Sequence, residues 1–239
     1  MDDYKLLHMI SEGPLGPSLL VKEKTTGEKC VVKQVECTDY TQAMLAYNQA
    51  LQLQRLGSHE SVCSYRHFFV QWEREAHAVY LCTVTPYQEL GSLSSFIEAQ
   101  REKKGSIDEE VLKNWTAQLV EGLCHSHSLD LLHRNIKLSN IFLSSPTSLL
   151  LGDFTVPVVM ENMKEVASKR GGSLQWLAPE EMEKRGEGEG ERGSEKGRCV
   201  VPGMCTYPVS HLLLHGCQRL LRAVPEVTQR SQCSGGSSG

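Results

Sequence analysis

The chain has 239 residues, a formal net charge of −4, and ordinary apolar and charged fractions of 40% and 23%. It reads as one large globular domain, or one domain with a tail. The mild acidity argues against nucleic acid as the main partner, because phosphate backbones are held by clustered Lys and Arg. No apolar run approaches the roughly 20 residues of a membrane helix, which argues against a membrane span.

Residues 1–85 read as short strands broken by one helix. Leu19 to Val21 and Cys30 to Val35 are β-rich runs, with Thr26 and Gly27 as the turn between them. Ala43 to Leu56 has a helical period, with Leu45, Leu53 and Leu56 among its apolar positions. Val79 to Val84 is a further apolar strand. The chain then turns helical. Leu93 to Lys104 predicts a short helix. Ser106 to Glu109 has the form of a capping box opening a helix to about Ser128, whose Val111, Trp115, Leu119 and Leu123 form a core-facing stripe. Leu131 to Leu151 is strand-like and loop-like, with few charges.

Five features follow one another in a fixed order: Ser11-Glu12-Gly13-Pro14-Leu15-Gly16 after Ile10; Val31-Val32-Lys33 on the next strand; His133-Arg134-Asn135-Ile136-Lys137-Leu138-Ser139-Asn140; Asp153-Phe154-Thr155; and Leu177-Ala178-Pro179-Glu180. Alone, each reads more simply. A glycine pair usually marks a turn, and a strand Lys is normally a solvated charge. Together they are the protein-kinase signature series. Over about residues 4–181 the chain resembles eukaryotic protein kinases, most of all the NIMA-related serine/threonine branch, and within the superfamily it is similar to pseudokinases.

The resemblance implies an α+β, bilobal protein kinase-like fold. Residues 1–85 would form the small β-rich lobe with one helix, and 86–181 a partial helical lobe holding the catalytic loop and activation segment. It implies ATP and Mg²⁺ as cofactors. Ile10, Gly13 and Gly16 would cover the nucleotide, and Lys33 would neutralise its phosphates. Thr85 stands at the gatekeeper place, and the backbones of Pro86 and Gln88 would face an adenine. Asn140 and Asp153 match the metal ligands, and Lys137 the lysine that steadies the transferred phosphate. His133 would be a structural histidine packed beside Phe154. Residues 155–176 would be the activation loop, offering Ser168 and Ser173.

Four positions depart from the pattern. Asn135 holds the place of the catalytic aspartate, and an amide carries no usable base near neutral pH. The first loop glycine is Ser11, and Pro14 and Pro17 stiffen that loop and remove N–H groups. No glutamate lies between Cys37 and His59. The place of the glutamate that would hold Lys33 falls near Gln49, which can accept a hydrogen bond but supplies no charge. Thr155 replaces a glycine, and a β-branched residue restricts the backbone there. The expected function is that of a pseudokinase acting on unknown protein partners as a binding or regulatory module. The alternatives are a weakly active serine/threonine kinase and a non-functional truncated product.

The composition breaks after Glu181. Residues 182–239 match none of the family's later helices, so the second lobe reads as incomplete and the tail as low-complexity and disordered. Cys199, Cys205, His211 and His215 raise the thought of zinc, but the gap between the pairs is far shorter than the roughly 12–15 residues of a finger. The nine cysteines are irregularly spaced. The first twenty residues carry Asp2, Asp3, Lys5 and Glu12 and have no leader character. Both features suggest reduced thiols and a cytoplasmic, or failing that nuclear, location.

Overall fold

The computed structural model describes residues 1–169 apart from Pro14, residues 75–76 and Lys104, with side chains as far as Met163. Leu177 to Glu180, the tail and the Cys/His group considered for zinc lie outside the described residues. So does Ser173, and so does the side chain of Ser168.

The first half is an antiparallel sheet of five strands: β1 (Tyr4–Gly13), β2 (Gly16–Glu23), β3 (Lys29–Cys37), β4 (His67–Glu73) and β5 (Ala78–Pro86), in the order β1-β2-β3-β5-β4. The expected runs at 19–21, 30–35 and 79–84 fall inside β2, β3 and β5. Gly27 makes the β2–β3 turn in the left-handed region, at φ 74°. β1 and β4 are additions to that list. β1 hides from a period-2 reading because its register with β2 slips twice, at Leu6/His8 and Met9/Ser11. Each slip turns the following side chains to the other face. On β3, Cys30, Val32 and Gln34 are buried and alternate with Val31 and Lys33. With Val21, Cys82 and Val84, Cys30 and Val32 form a core cluster under the sheet.

Helix α1 (Tyr40–Leu51) begins at an Asp39 cap, whose side chain accepts from the Gln42 N–H, and passes into a 3₁₀ turn over Gln52–Leu56. The expected helix of 43–56 is thus two elements. Leu45, one of the apolar positions of the period, is 50% exposed, and the buried side of α1 is Ala43, Ala46 and Ala50. These small side chains present a smooth face to the sheet.

The second half holds α2 (Leu93–Glu102), α3 (Glu109–Ser128), the hairpin β6 (Ile141–Ser145) and β7 (Ser148–Leu151), and α4 (Pro157–Lys169). The α3 cap is Asp108, which accepts from the Glu110 N–H, and not Ser106. Asp108 is the last extended residue and lies nearer the free N–H groups, so the Ser-x-x-Glu spacing is unused. Trp115, Leu119 and Leu123 are buried as the stripe implies. The fold is therefore α+β: a sheet-rich part with one helix, followed by a largely helical part. The described cysteines at 30, 37, 63, 82 and 124 are unpaired. Among the described residues no helix is long and apolar enough to cross a membrane.

Candidate active site

Lys33 sits mid-sheet, opposite Ser18 on β2 and Thr83 on β5. Its side chain leaves the face opposite Val32 and reaches across 120 residues of sequence to Asp153. Its Nζ lies 2.5 Å from each carboxylate oxygen. The pair is partly open to solvent, at 34% exposure for the Lys33 side chain and 20% for that of Asp153. A charge-assisted contact to both oxygens makes Lys33 and Asp153 each other's counter-ion.

The backbone around Asp153 is pinned on both sides. The Gly152 N–H donates to Asn140 O at 3.0 Å, and the Thr155 N–H to His133 O at 3.1 Å. The Phe154 N–H donates to the Tyr65 hydroxyl at 2.9 Å. Asp153 itself has φ 60°, and Arg134 has φ 61°. This left-handed region disfavours ordinary side chains and costs energy that the surrounding bonds must offset. Thr155 is not among the residues with positive φ. It is buried, so this arrangement makes no demand for a glycine there, and the expected penalty does not arise.

His133 is fully buried against Phe154, with ring centroids 4.4 Å apart. Its Nδ1 accepts the Asn135 N–H at 3.2 Å, so Nε2 carries the proton and donates to Gly152 O at 2.7 Å. Burial lowers its pKa to about 4, against a smaller opposing pull from the Asp153 charge. It is the structural histidine the sequence implied. Tyr65 is held well above its ordinary value, first by burial and then by the Asp153 charge, and so stays a neutral hydroxyl. Nothing in the sequence singled out Tyr65, because its role depends on a contact 89 residues away.

Asn135 is 1% exposed. Its carbonyl oxygen accepts from Asn140 Nδ2 at 2.7 Å, while its own side-chain Oδ1 is buried without a partner. Lys137 lies near the same group. Its pKa is lowered by burial and then by the like charge of Lys33, with Asp153 pulling the other way. Lys33, Asn135, Lys137, Asn140 and Asp153 are therefore brought together, as the sequence implied.

Gln49 does not approach Lys33 by any hydrogen bond among the described residues. Its Oε1 instead accepts the Val158 N–H at 3.1 Å, satisfying a free donor in the first turn of α4. Pro157 opens that helix, where a missing N–H costs nothing. Gln42 and Asn162 exchange two amide bonds, at 3.1 and 2.8 Å, and Val156, Val159 and Met160 are buried. The segment expected as a loop from 155 is thus helical from Pro157 and docked on α1. Asn162→Ala should remove both amide bonds and cost the closed segment about 1 kcal/mol. Backbone amides around 158–163 should then exchange hydrogen roughly fivefold faster than in wild type; unchanged rates would mean the amide pair holds nothing.

The hairpin tip is closed onto β3. Leu15 O accepts the Glu36 N–H at 2.7 Å. Gly16, at φ 141°, lies so close that a Cβ would stand 2.6 Å from Gln34 O, and one on Gly13 would stand 2.9 Å from Gly16 O. Packing alone thus accounts for both glycines. Ile10 lies at a bulge and is largely exposed. Thr85 pairs with Val31 and Pro86 with Cys30. The Tyr87 N–H donates to Lys29 O, and Gln88 O accepts from the Gly91 N–H. Of the proposed adenine contacts, Pro86 can offer only its carbonyl.

The residues present fit a phosphate group, since Lys33 and Lys137 supply two cations at one place. For Mg²⁺ they offer two oxygen ligands: Asp153, whose oxygens each contact Lys33 and keep a further lone pair, and the side-chain oxygen of Asn140, whose Nδ2 donates to Asn135 O.

The protein kinase domain family matches residues 4–191. Serine/threonine-protein kinase Nek5 of Mus musculus is 30% identical over 226 residues, which is 91% of this chain and 34% of that protein. Nek3 of Oryza sativa subsp. japonica is 28% identical over 75% of this chain and 30% of its own length. Nek1 of Mus musculus is 30% identical over 77% and 15%. The chain thus spans about a third or less of the length of these relatives. With the five-stranded sheet, the Lys33–Asp153 pair and this match over most of its length, the chain belongs to the protein kinase domain family, on the side of the NIMA-related serine/threonine kinases.

Proposed function

We propose that the chain is a pseudokinase, a kinase-shaped binding or regulatory module that keeps a nucleotide site at Lys33 and does not transfer phosphate efficiently. The observation that carries this reading is Asn135. It stands in the catalytic loop as an amide, buried, with its Oδ1 unpartnered. A general base contributes on the order of 10²–10⁴ in rate and must come within hydrogen-bond reach of the substrate hydroxyl. An amide supplies no base near neutral pH. Two further features support the reading. Lys33 is neutralised by Asp153, and Gln49 is spent on α4. In this reading ATP binds beside Lys33 and Lys137, the partners are other proteins, and the chain works in the cytoplasm.

The second reading, a weakly active serine/threonine kinase, is favoured by the survival of Lys33, Lys137, Asn140 and Asp153 in one place and by the kinase names of the relatives. Transfer of radiolabelled γ-phosphate to protein substrates separates the two. Wild type should stay at the background set by Lys33→Ala, while ATP raises its melting temperature. Wild-type transfer above that background and equal to that of Asn135→Asp would sink the pseudokinase reading.

A further inference from the structure

Between Cys37 and Gly57 the only charged residues are Asp39 and Arg55, and α1 itself contains no Asp, Glu, Lys or Arg. A surface helix normally carries charged side chains on the side away from the core. Here that side is uncharged and largely apolar. Ala43, Ala46 and Ala50 take the buried side, and Gln42 and Gln49 bond to α4. What remains includes Tyr40, Met44, Leu45, Asn48 and Leu51, spaced as neighbours on one side of a helix. Tyr40 is 59% exposed, and Met44 and Leu51 are half-buried. The apolar surface continues at the end of β4. Trp72, 54% exposed, pairs with Val79, and Val79 pairs with Cys37, which shortly precedes Tyr40. Exposed apolar groups gathered in this way mark a protein-binding surface, and Tyr and Trp are the side chains that most often anchor one.

The two end charges select the occupant. Asp39 is exposed and caps the N-terminal end of α1. Arg55 is exposed in the last turn of the 3₁₀ segment that follows. Two copies laid antiparallel along this side bring Asp39 of each to the end that carries Arg55 of the other, so both ends are matched in charge. A parallel pairing would set acid on acid and base on base. The stretch between holds no charge, so burying it leaves no ion unpaired. Antiparallel alignment also opposes the two helix dipoles. The side is therefore complementary to itself about a two-fold axis, the symmetry of an isologous dimer.

We propose that the outward side of α1, with Tyr40, Leu45 and Trp72 as its apolar anchors, is an interface between two copies of this chain. Sedimentation velocity of the purified full chain over a range of concentrations tests it. Wild type should pass from monomer to dimer as concentration rises. Leu45→Glu should weaken the dimer by about tenfold or more, because the new carboxylate would be buried without a partner. Arg55→Glu sets acid against Asp39 at both ends and should weaken it about fivefold, a difference that added salt narrows. Arg55→Lys keeps the charge and should associate like wild type. Leu45 and Arg55 are exposed, so urea unfolding of the variants should match that of wild type and separate lost association from lost folding. A chain that stays monomeric across the range, whether or not a different protein binds this side, would overturn the proposal. So would a dimer that Leu45→Glu or Arg55→Glu leaves as tight as before.

Discussion

Phe154→Ala should cost about 3–5 kcal/mol of folding stability, the range for removing a buried aromatic ring. Phe154 is 6% exposed and lies against His133 with centroids 4.4 Å apart. Its N–H is tied to Tyr65, and its neighbour Asp153 lies in the left-handed region. Truncation leaves a cavity where the backbone is already in a costly conformation. The loss should show in urea unfolding, and Phe154→Leu, which keeps most of the volume, should recover all but about 1.5 kcal/mol. A typical domain has a margin of roughly 5–15 kcal/mol, so the alanine variant should stand near the edge of folding. An alanine variant as stable as the leucine variant would show that the ring is not a support for Asp153.

The second large effect is on pH. His133 titrates at about 4 when folded, lowered by burial from an ordinary value of 6.5. Protonation would also break the bond in which Nδ1 accepts the Asn135 N–H. Below pH 6.5 the unfolded chain therefore binds a proton that the folded chain refuses. The stability from His133 is complete above that pH and is lost as pH falls towards 4. Across that window the loss approaches about 3 kcal/mol, at 1.36 kcal/mol per unit. Carboxylates contribute their own acid dependence, so the comparison is between wild type and His133→Gln, each unfolded in urea at several pH values from 4 to 7. The wild-type curve should be the steeper by that amount; parallel curves would refute the assignment.

Both effects arise from a platform that was only half legible in the sequence. The pairing of His133 with Phe154 was implied by the resemblance to protein kinases, as was the convergence of Lys33, Asn140 and Asp153. Tyr65 was not, since a tyrosine in a connecting segment carries no local signal of the N–H it will meet. The helices divide in the same way. The stripe of Trp115, Leu119 and Leu123 announced α3, because a long core-facing helix has a strong period. For α1 the period pointed to Leu45, but the alanines face the sheet. The sheet needs a close neighbour there, and that need is not written in α1 itself. Ser106 was the wrong cap for a similar reason: a capping spacing shows which residues can serve, and the chain path selects among them.

The clearest difference lies at Gln49 and the segment after Asp153. By itself the sequence determined which charges exist: no base at Asn135, no glutamate on α1, two lysines and one aspartate among the site residues. Chemistry of that kind is a property of residue type and survives any arrangement. Tertiary structure decided how those groups are spent. It turned Gln49 to the Val158 N–H, coiled 157–169 into a helix against α1, and gave both Asp153 oxygens to Lys33. Each of these contacts joins residues more than 100 positions apart. Their energies depend on distance and burial, which no local pattern of residues contains.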